Sequence, residues 1–247
     1  MAEKAVEICH LSYTYPDGTI ALKDVCLDVW EGETLGLIGS NGAGKSTLLL
    51  HLNGILMGSS PVKIGGIPVT AEHLPLIRSR VGMIFQEPDH QLFMPTVGDD
   101  VSFGPANMGM SAQKVEDAVQ KALTKVDALS LRQKSSHHLS VGEKKRISLA
   151  TVLSMDPHII VLDEPSSSLD PKHRQGLIEL LHSLGLTKII ASHDLALIAE
   201  TCDRVAVMAE GEICCVGKTN DILFDDLLLK KHDLLWSIPN RKVKNHE

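Results

Sequence analysis

The sequence predicts an α/β protein with a mostly parallel sheet, an antiparallel β subdomain at the N-terminus and an inserted α-helical lobe. Short apolar runs predict the sheet, and three of them are apolar enough for strands buried on both faces, at 81–85, 188–191 and 204–208. Residues 4–11 and 24–31 also have strand patterns and lie on either side of a Pro-Asp-Gly turn. The stretch from about 87 to 155 has helical periodicity and no obvious strand.

A glycine-rich segment follows the apolar run at 34–38 and precedes a helical run at 47–53. It matches the pattern G-x-x-x-x-G-K-S with Gly39, Ser40, Asn41, Gly42, Ala43, Gly44, Lys45 and Ser46, and Thr47 follows. Glycines let backbone N–H groups turn inward around a phosphate chain, and the helix N-terminus adds positive potential. The lysine can reach the outer phosphates and the serine hydroxyl can bind Mg2+. The segment therefore predicts a P-loop NTPase core that binds a nucleoside triphosphate and magnesium.

Residues 159–164 form an apolar strand that ends in two carboxylates, Asp163 and Glu164. In a phosphate-loop fold such a strand lies beside the loop, so Asp163 can join the magnesium shell. Glu164 can orient the attacking water or accept its proton. A strand that ends in Asp-Glu would by itself be a solvated strand end. Its position downstream of Lys45, with Pro165 next, favours the catalytic interpretation.

The composition of the chain restricts its partners. Its 247 residues are 43% hydrophobic and 22% charged, which fits a globular protein with a substantial core. A formal net charge of -7 argues against nucleic acid as a partner of the whole surface and leaves only a local basic patch as an alternative. No apolar run is long enough to cross a bilayer and the charged N-terminus lacks a signal-peptide core, so we expect any membrane role to come through a partner protein.

The cysteines and histidines give no clear metal or disulfide pattern. The cysteines are odd in number and contain no C-x-x-C, and the one adjacent pair is poorly placed for a disulfide; they are Cys9, Cys26, Cys202, Cys214 and Cys215. We expect reduced thiols in the cytoplasm. Among the twelve histidines, His137-His138 comes nearest to a metal-ligand pattern, and a polar loop is the simpler interpretation.

In the order of its motifs, the chain resembles the ATP-binding subunits of ATP-binding-cassette (ABC) transporters over nearly its whole length. Besides the phosphate loop and the strand ending in Glu164, the matching positions are Tyr15, Gln86, Leu139-Ser140-Val141-Gly142-Glu143, Ser168-Leu169-Asp170 and His193. The resemblance implies ATP as the nucleotide, with adenine stacked on Tyr15 and the terminal phosphate in contact with His193. It also implies that Gln86 contacts magnesium and the attacking water.

The same resemblance implies that two cassettes work together. Ser140 and Gly142 match the signature stretch that binds the ATP held by the opposite subunit, and Asp170 matches a loop that crosses between subunits. The residue types support this interpretation independently of the resemblance. Ser140 and Gly142 lie at a predicted helix start, where free N–H groups favour an anion. Asp170-Pro171 is a predicted N-cap followed by proline. The second cassette is either an identical copy or a related chain.

The signature stretch departs from the family pattern at Val141, where many members have glycine. A β-branched residue avoids positive φ, so either the backbone keeps negative φ here or the contact with the partner's nucleotide is weakened. We expect negative φ, because Ser140 and Gly142 are both retained. The following Lys144-Lys145-Arg146 is expected to be a solvated basic turn.

Residues 85–97 and 99–105 resemble the energy-coupling-factor group of importers, and within it most closely the cobalt and nickel uptake systems. In that group this surface binds a cytoplasmic helix of the transmembrane partner, and Phe93 is the expected apolar anchor for that helix. The resemblance implies an ATPase at the cytoplasmic face of the cell membrane. Its implied partners are a transmembrane energy-coupling protein and a substrate-binding membrane subunit. Vitamins are the alternative cargo.

The whole chain, 1–247, is predicted to be one ABC ATPase domain, with the helical lobe at about 87–155 and a C-terminal extension at about 227–247. We interpret the extension as a helix that caps this subunit, with a subunit contact as the alternative.

Two other classes of protein are alternatives to a transporter ATPase. A soluble cassette ATPase in DNA repair or on the ribosome usually has paired cassettes or a long coiled coil, and a phosphate-loop kinase or GTPase would lack the signature stretch.

Overall fold

The computed structural model describes residues 3–58 and 62–234. In this part of the chain the strands are β1 (Lys4–Thr14), β2 (Ile20–Trp30), β3 (Thr34–Ile38), β4 (Val62–Ile64), β5 (Ile67–Pro68), β6 (Val81–Ile84), β7 (Ile159–Asp163), β8 (Thr187–Ala191), β9 (Arg204–Ala209) and β10 (Glu212–Lys218). The α-helices are α1 (Lys45–Leu52), α2 (Leu74–Arg80), α3 (Val97–Asn107), α4 (Ala112–Lys125), α5 (Val141–Leu153), α6 (Pro171–Ser183), α7 (Leu195–Thr201), α8 (Thr219–Leu223) and α9 (Asp226–Lys231).

The N-terminal strands form a four-stranded antiparallel sheet in the order β2-β1-β4-β5. Val25, Leu27 and Val29 of β2 are buried, and the residues between them are exposed or half-buried, as strand alternation requires. β1 continues to Thr14, beyond its predicted end at residue 11, so the turn begins at Tyr15. The predicted antiparallel β subdomain is confirmed.

The second sheet has six strands in the order β10-β9-β3-β8-β7-β6, and only the β9–β10 pair is antiparallel. Every residue of β3, β6, β7 and β8 is buried, because helices cover this sheet and its strands must be apolar on both faces. The predicted strand at 81–85 ends one residue earlier, at Ile84. The carboxyl ends of the parallel strands meet at one edge, which is where α/β sheets bind ligands.

The helical lobe lies between β6 and β7 in the chain and contains α3, α4 and α5. Val119, Ala122 and Leu123 of α4 are buried at the predicted helical spacing and pack in one core with α3 and α5. Ser111 takes the N-cap position of α4, but its side chain makes no capping hydrogen bond. Within 3–58 and 62–234, the helices are all too short or too polar to cross a membrane.

The expectation that the basic residues 144–146 are solvated is wrong, whereas the predicted helix from 142 to 155 is confirmed. These residues belong to α5, which begins at Val141 because Ser140 and Glu143 form a capping box there. The basic side chains therefore project from a helix, and each of the three residues is only partly exposed. Long basic side chains on a helix can reach neighbouring segments, and these do.

The last described helix, α9, packs on this subunit. Leu229 of α9 is 3% exposed and Leu234, just beyond it, is 7% exposed; both belong to the main hydrophobic core. Leu227, on the opposite side of the helix, is 81% exposed. Most of the predicted C-terminal extension, at 235–247, lies outside the described residues.

Candidate nucleotide site

The carboxyl ends of β3, β6, β7 and β8 and the turn after β1 surround an open cavity of about 520 Å³. It is lined by Tyr15, Thr19, Ile20, Ala21, Asn41, Gly42, Gly44, Lys45, Ser46, Thr47, Gln86, Asp163, Glu164 and His193. Most of the sequence-predicted site residues therefore meet in one place. The predicted residues that do not line it are Gly39, Ser40, Ala43, Ser140, Gly142 and Asp170.

The glycine-rich loop joins β3 to α1, and its shape requires glycine at two positions. A Cβ on Gly39 would lie 2.2 Å from the carbonyl oxygen of Met208. Gly44 has a φ of 102°, and a Cβ there would lie 2.6 Å from the carbonyl oxygen of Ala21. Any other side chain would clash with backbone at both positions, so the loop packs directly on β9 and β2.

Lys45 is 7% exposed, and its ammonium lies over its own loop. Nζ donates to the carbonyl oxygens of Gly39 at 2.8 Å and Ser40 at 3.0 Å. Burial lowers the pKa of Lys45, while the charges of Glu164 and Asp163 oppose that change. Neutral carbonyls are weaker partners for an ammonium than phosphate oxygens, so this side chain is available to a bound polyanion.

Asp163 ends β7 and is 8% exposed. Its Oδ1 has no hydrogen-bond partner among the described residues. Burial raises the pKa of this carboxyl, a hydrogen bond from Ser46 opposes the rise, and the charge of Glu164 adds to it. A buried carboxylate oxygen without a partner is unfavourable, and oxygen ligands of this kind suit a hard cation. The Asp163–Ser46 pair therefore fits Mg2+.

Glu164 is buried and has a φ of 46°, in the left-handed region that non-glycine residues avoid. Its carboxylate accepts hydrogen bonds from Ser192 Oγ at 3.2 Å and from the His193 N–H at 3.1 Å. His193 Nδ1 lies 2.7 Å from Oε2, and the His193 side chain is 66% exposed. The carboxylate is thus held in place at the end of β8, beside a histidine that reaches into solvent.

One end of the cavity is aromatic and apolar. The Tyr15 hydroxyl lies 3.0 Å from Thr47 Oγ1, and the ring packs edge to face on Tyr13 with centroids 5.0 Å apart. Ile20 is 59% exposed beside it. Sequence reasoning missed Ile20; the available signal was a large apolar residue directly after a surface turn.

Ser140, Gly142 and Asp170 form a separate surface at the N-termini of α5 and α6. The Ser140 N–H donates to Glu143 Oε2 at 2.8 Å, and Asp170 Oδ1 accepts from the His173 N–H at 2.9 Å, so the predicted N-cap at Asp170 and the predicted helix start at Ser140 are confirmed. A Cβ on Gly142 would lie 2.7 Å from the His173 ring. Close packing of that ring on the glycine joins the two helix starts.

Val141 is the first residue of α5 and has a helical backbone, so the expectation of negative φ is confirmed. Its side chain is 46% exposed. The valine therefore adds an apolar group to the surface of the signature stretch without distorting its backbone.

Lys145 connects this surface to the cavity, a contact that sequence reasoning missed. Its Nζ donates to the carbonyl oxygens of Glu164 and Pro165, both at 3.1 Å, and to Ser167 Oγ at 2.8 Å. Burial lowers the pKa of Lys145, while the charges of Glu87 and Glu164 oppose that change. Three hydrogen bonds from one ammonium hold the segment that follows β7 against α5.

Known proteins are similar to this chain in sequence and in fold. The family profile for ABC transporters matches residues 22–167. The chain is 45% identical to the energy-coupling factor transporter ATP-binding protein EcfA of Methanothermobacter thermautotrophicus, across 93% of this chain and 76% of that protein. It superposes on cbiO1 from Clostridium perfringens, part of the ABC transporter complex cbiONQ, with a TM-score of 0.82 and 36% identity, covering 94% of this chain and 95% of that one. A dimeric ATP-binding cassette with ADP and Pi, in a post-hydrolysis state, gives a TM-score of 0.78 and 25% identity, covering 87% and 98%.

The chain belongs to the ATP-binding subunits of ABC transporters, a family that hydrolyses ATP to power transport. ABC ATPases bind ATP, generally with Mg2+, and work as dimers. The alternative of a phosphate-loop kinase or GTPase is therefore wrong.

Proposed function

We propose that this chain is the ATP-hydrolysing subunit of an energy-coupling-factor importer and forms one half of a two-subunit clamp. The observation that carries the proposal is the division of the predicted nucleotide-binding groups between two surfaces. Lys45, Asp163 and Glu164 line the cavity, whereas Ser140 and Gly142 lie outside it at a helix start. A single copy therefore holds two separate half-sites, and a second cassette completes each of them.

Within one subunit, the phosphate loop 39–47 binds the triphosphate and Tyr15 stacks on adenine. The N–H groups at the start of α1 and the Lys45 ammonium neutralise phosphate charge. Ser46, Gln86 and Asp163 are the residues that would hold Mg2+, which when bound neutralises charge on the phosphate oxygens.

Glu164 acts as the general base. Water attacks the terminal phosphorus, a new P–O bond forms, the bond to the ADP oxygen breaks, and Glu164 accepts the proton of the water. The hydrogen bonds from Ser192 and His193 hold the carboxylate in one orientation. His193 is exposed enough to contact the terminal phosphate as well.

The second subunit contributes the start of its α5. Ser140 and Gly142 contact the terminal phosphate of the ATP held by the other subunit, because the N–H groups of the first turn of α5 that lie outside the Ser140–Glu143 capping box favour an anion. Asp170 lies in the segment that crosses the interface. The closed pair binds ATP better than ADP, so ATP closes the clamp and hydrolysis opens it. The second cassette is a copy of this chain or a paired relative.

The surface around Phe93 is the proposed contact with the transmembrane coupling protein. Phe93 is 61% exposed and Phe103 is 45% exposed, and their rings meet edge to face with centroids 5.1 Å apart. An open groove of about 810 Å³ beside them is lined in part by Phe85 and Met108. An aromatic pair at the rim of an apolar groove suits an incoming amphipathic helix. Gln86 adjoins Phe85, so the groove and the nucleotide cavity share one segment.

Cobalt or nickel ions are the proposed cargo, with vitamins as the alternative. The names of the relatives support the coupling-factor type, and the resemblance at 85–105 supports a metal cargo. The chain itself does not contact the cargo, and its partners hold it at the cytoplasmic face of the membrane.

Purification from membranes in detergent tests the proposed partner. The chain should co-purify with a polytopic membrane protein, and Phe93→Ala should reduce the recovery by about tenfold or more, as loss of a buried aromatic anchor does. Leu129→Ala removes another exposed apolar side chain elsewhere in the lobe, 42% exposed, and should leave recovery unchanged. Absence of any membrane protein would contradict an importer and favour a soluble cassette ATPase.

Uptake by whole cells tests the cargo. Cells that express the complex should accumulate cobalt or nickel, and cells with Glu164→Gln should not. Accumulation of a vitamin and not of either metal would replace the metal cargo while leaving the ATPase assignment intact.

A further inference from the structure

The ladder between β1 and β2 has four shifts of register, and the two in its middle are β-bulges. The register between β1 and β2 shifts by one residue after Ile8 and shifts back before Tyr13. The first bulge contains His10 on β1, with a φ of 53°, and the second contains Asp24 on β2, with a φ of 51°. Bulges redirect side chains, and the second of these two restores the register that held at Ile8.

The first bulge places two neighbouring residues on the same face of the sheet. In a regular strand, successive side chains point to opposite faces, so an exposed Cys9 would be followed by an inward-pointing His10. Here Cys9 and His10 are both exposed, between the buried Ile8 and Leu11. The irregular backbone thus brings the histidine to the face that also carries Cys26.

Four side chains that commonly bind metals meet on this face. Cys9, His10 and Cys26 each place one potential ligand atom within 4.8 Å of the other two. His10 Nδ1 lies 2.8 Å from Asp24 Oδ1, and the His10 backbone N–H donates to Cys26 Sγ at 3.1 Å. All four residues are exposed, so an ion can reach them from solvent.

We propose that Cys9, Cys26 and His10 bind a thiophilic divalent cation of the Zn2+ class. Two cysteine sulfurs and one imidazole nitrogen are donors that zinc and its neighbours prefer, and the fourth position faces solvent. Asp24 accepts the hydrogen bond from Nδ1, as carboxylates do when they orient a metal-binding imidazole that ligates through its other nitrogen. The site uses none of the groups assigned to ATP, so it is independent of the proposed transport function.

The charge around the cysteines favours a cation. The carboxylates of Asp24 and Asp28 lie close enough to the Cys9 sulfur to act on it with their negative charge. A divalent cation relieves this accumulation of negative charge.

Titration of the tag-free, reduced protein with Co2+ in the absence of nucleotide tests the site. The expected result is one bound Co2+ per chain, with a sulfur-to-cobalt charge-transfer band in the near ultraviolet and the visible bands of tetrahedral Co2+. Zn2+ should then abolish the spectrum by displacement. Co2+ bound without a charge-transfer band would overturn the proposal, because it would place the ion on oxygen ligands.

Matched variants locate the ligands. Cys9→Ser/Cys26→Ser should lose the charge-transfer band, and Cys214→Ser/Cys215→Ser, which changes the other exposed or half-buried pair, should keep it. Asp24→Asn tolerates the left-handed backbone and should weaken Co2+ binding by about tenfold or more. Basal ATP hydrolysis should be unchanged in all three variants, which shows that the fold is intact. Persistence of the band in Cys9→Ser/Cys26→Ser would also overturn the proposal.

Discussion

The cavity at the sheet edge and the N-terminus of α5 are proposed to hold the same nucleotide, yet they are built in opposite ways. The cavity buries three charged groups, Lys45, Asp163 and Glu164, and one of them has an oxygen without a partner. At α5, Ser140 and Glu143 satisfy each other in a capping box on the surface. The cavity therefore contains buried charges that are not fully paired, which suits chemistry. The hydrogen-bonding groups of Ser140 and Glu143 at the start of α5 are satisfied, which suits docking. Changes in the two regions should therefore have different consequences.

The largest effect is expected from Glu164→Gln. Glutamine keeps the shape of the side chain but cannot accept the proton, so ATP turnover should fall by about 10²-fold or more. Phosphate release measures it, and Glu179→Gln, an exposed change on α6, is the control. Turnover within about threefold of wild type would show that another group is the base.

The next prediction separates the two regions directly. Lys45→Ala should weaken ATP binding to the isolated chain by about 10²-fold, because loss of one partner in a buried charge pair costs about 3 kcal/mol. Ser140→Arg should leave this binding unchanged and abolish hydrolysis. Calorimetry with a non-hydrolysable ATP analogue distinguishes them. Equal loss of binding in both variants would mean that one copy contains the whole site.

A smaller effect is expected where the two regions touch. Lys145→Met removes three hydrogen bonds to the segment after β7 and keeps the apolar stem. The kcat for ATP should fall by about tenfold with little change in KM, since the base is misplaced while the phosphate loop is intact. Lys63→Met, a half-buried lysine on β4, controls for loss of charge. A change in KM alone would contradict this role.

The smallest effect is on stability. Asp163→Asn should raise the free energy of unfolding of the nucleotide-free protein by about 1 kcal/mol, because it removes a buried charge with an unsatisfied oxygen. The folded-state pKa of Asp163 is raised, so its neutral form is favoured in the fold, and this group destabilises the protein as pH rises through that pKa. Asp163→Asn should remove this part of the pH dependence. Thermal unfolding at several pH values measures both effects, and a less stable variant would contradict them.

The sequence predicted the features whose signal is local. The phosphate loop, the two carboxylates at the end of β7, the helix start at Ser140 and the N-cap Asp170 each depend on residue types within a few positions, and the structure forms them as expected. Three elements had little local signal. β4 and β5 have only three and two residues, and α3 contains Gly98, Gly104 and Pro105.

Contacts between distant segments were beyond the sequence. The ammonium of Lys145 and the backbone of Glu164 meet only because α5 packs against the end of β7. The pairing register of β1 and β2 brings Cys9 close to Cys26, and a bulge that no residue pattern predicted brings His10 to the same place. Such contacts depend on tertiary packing, which periodicity and propensity do not describe.

If ATP joins two cassettes, sedimentation velocity should detect the pair. Glu164→Gln at saturating Mg2+ and ATP, alone or mixed with a second cassette recovered from membranes, should sediment as a particle with two cassettes. When Ser140→Arg is added to each cassette, the protein should sediment as a single cassette. A Glu164→Gln protein that stays single in both preparations would contradict the account.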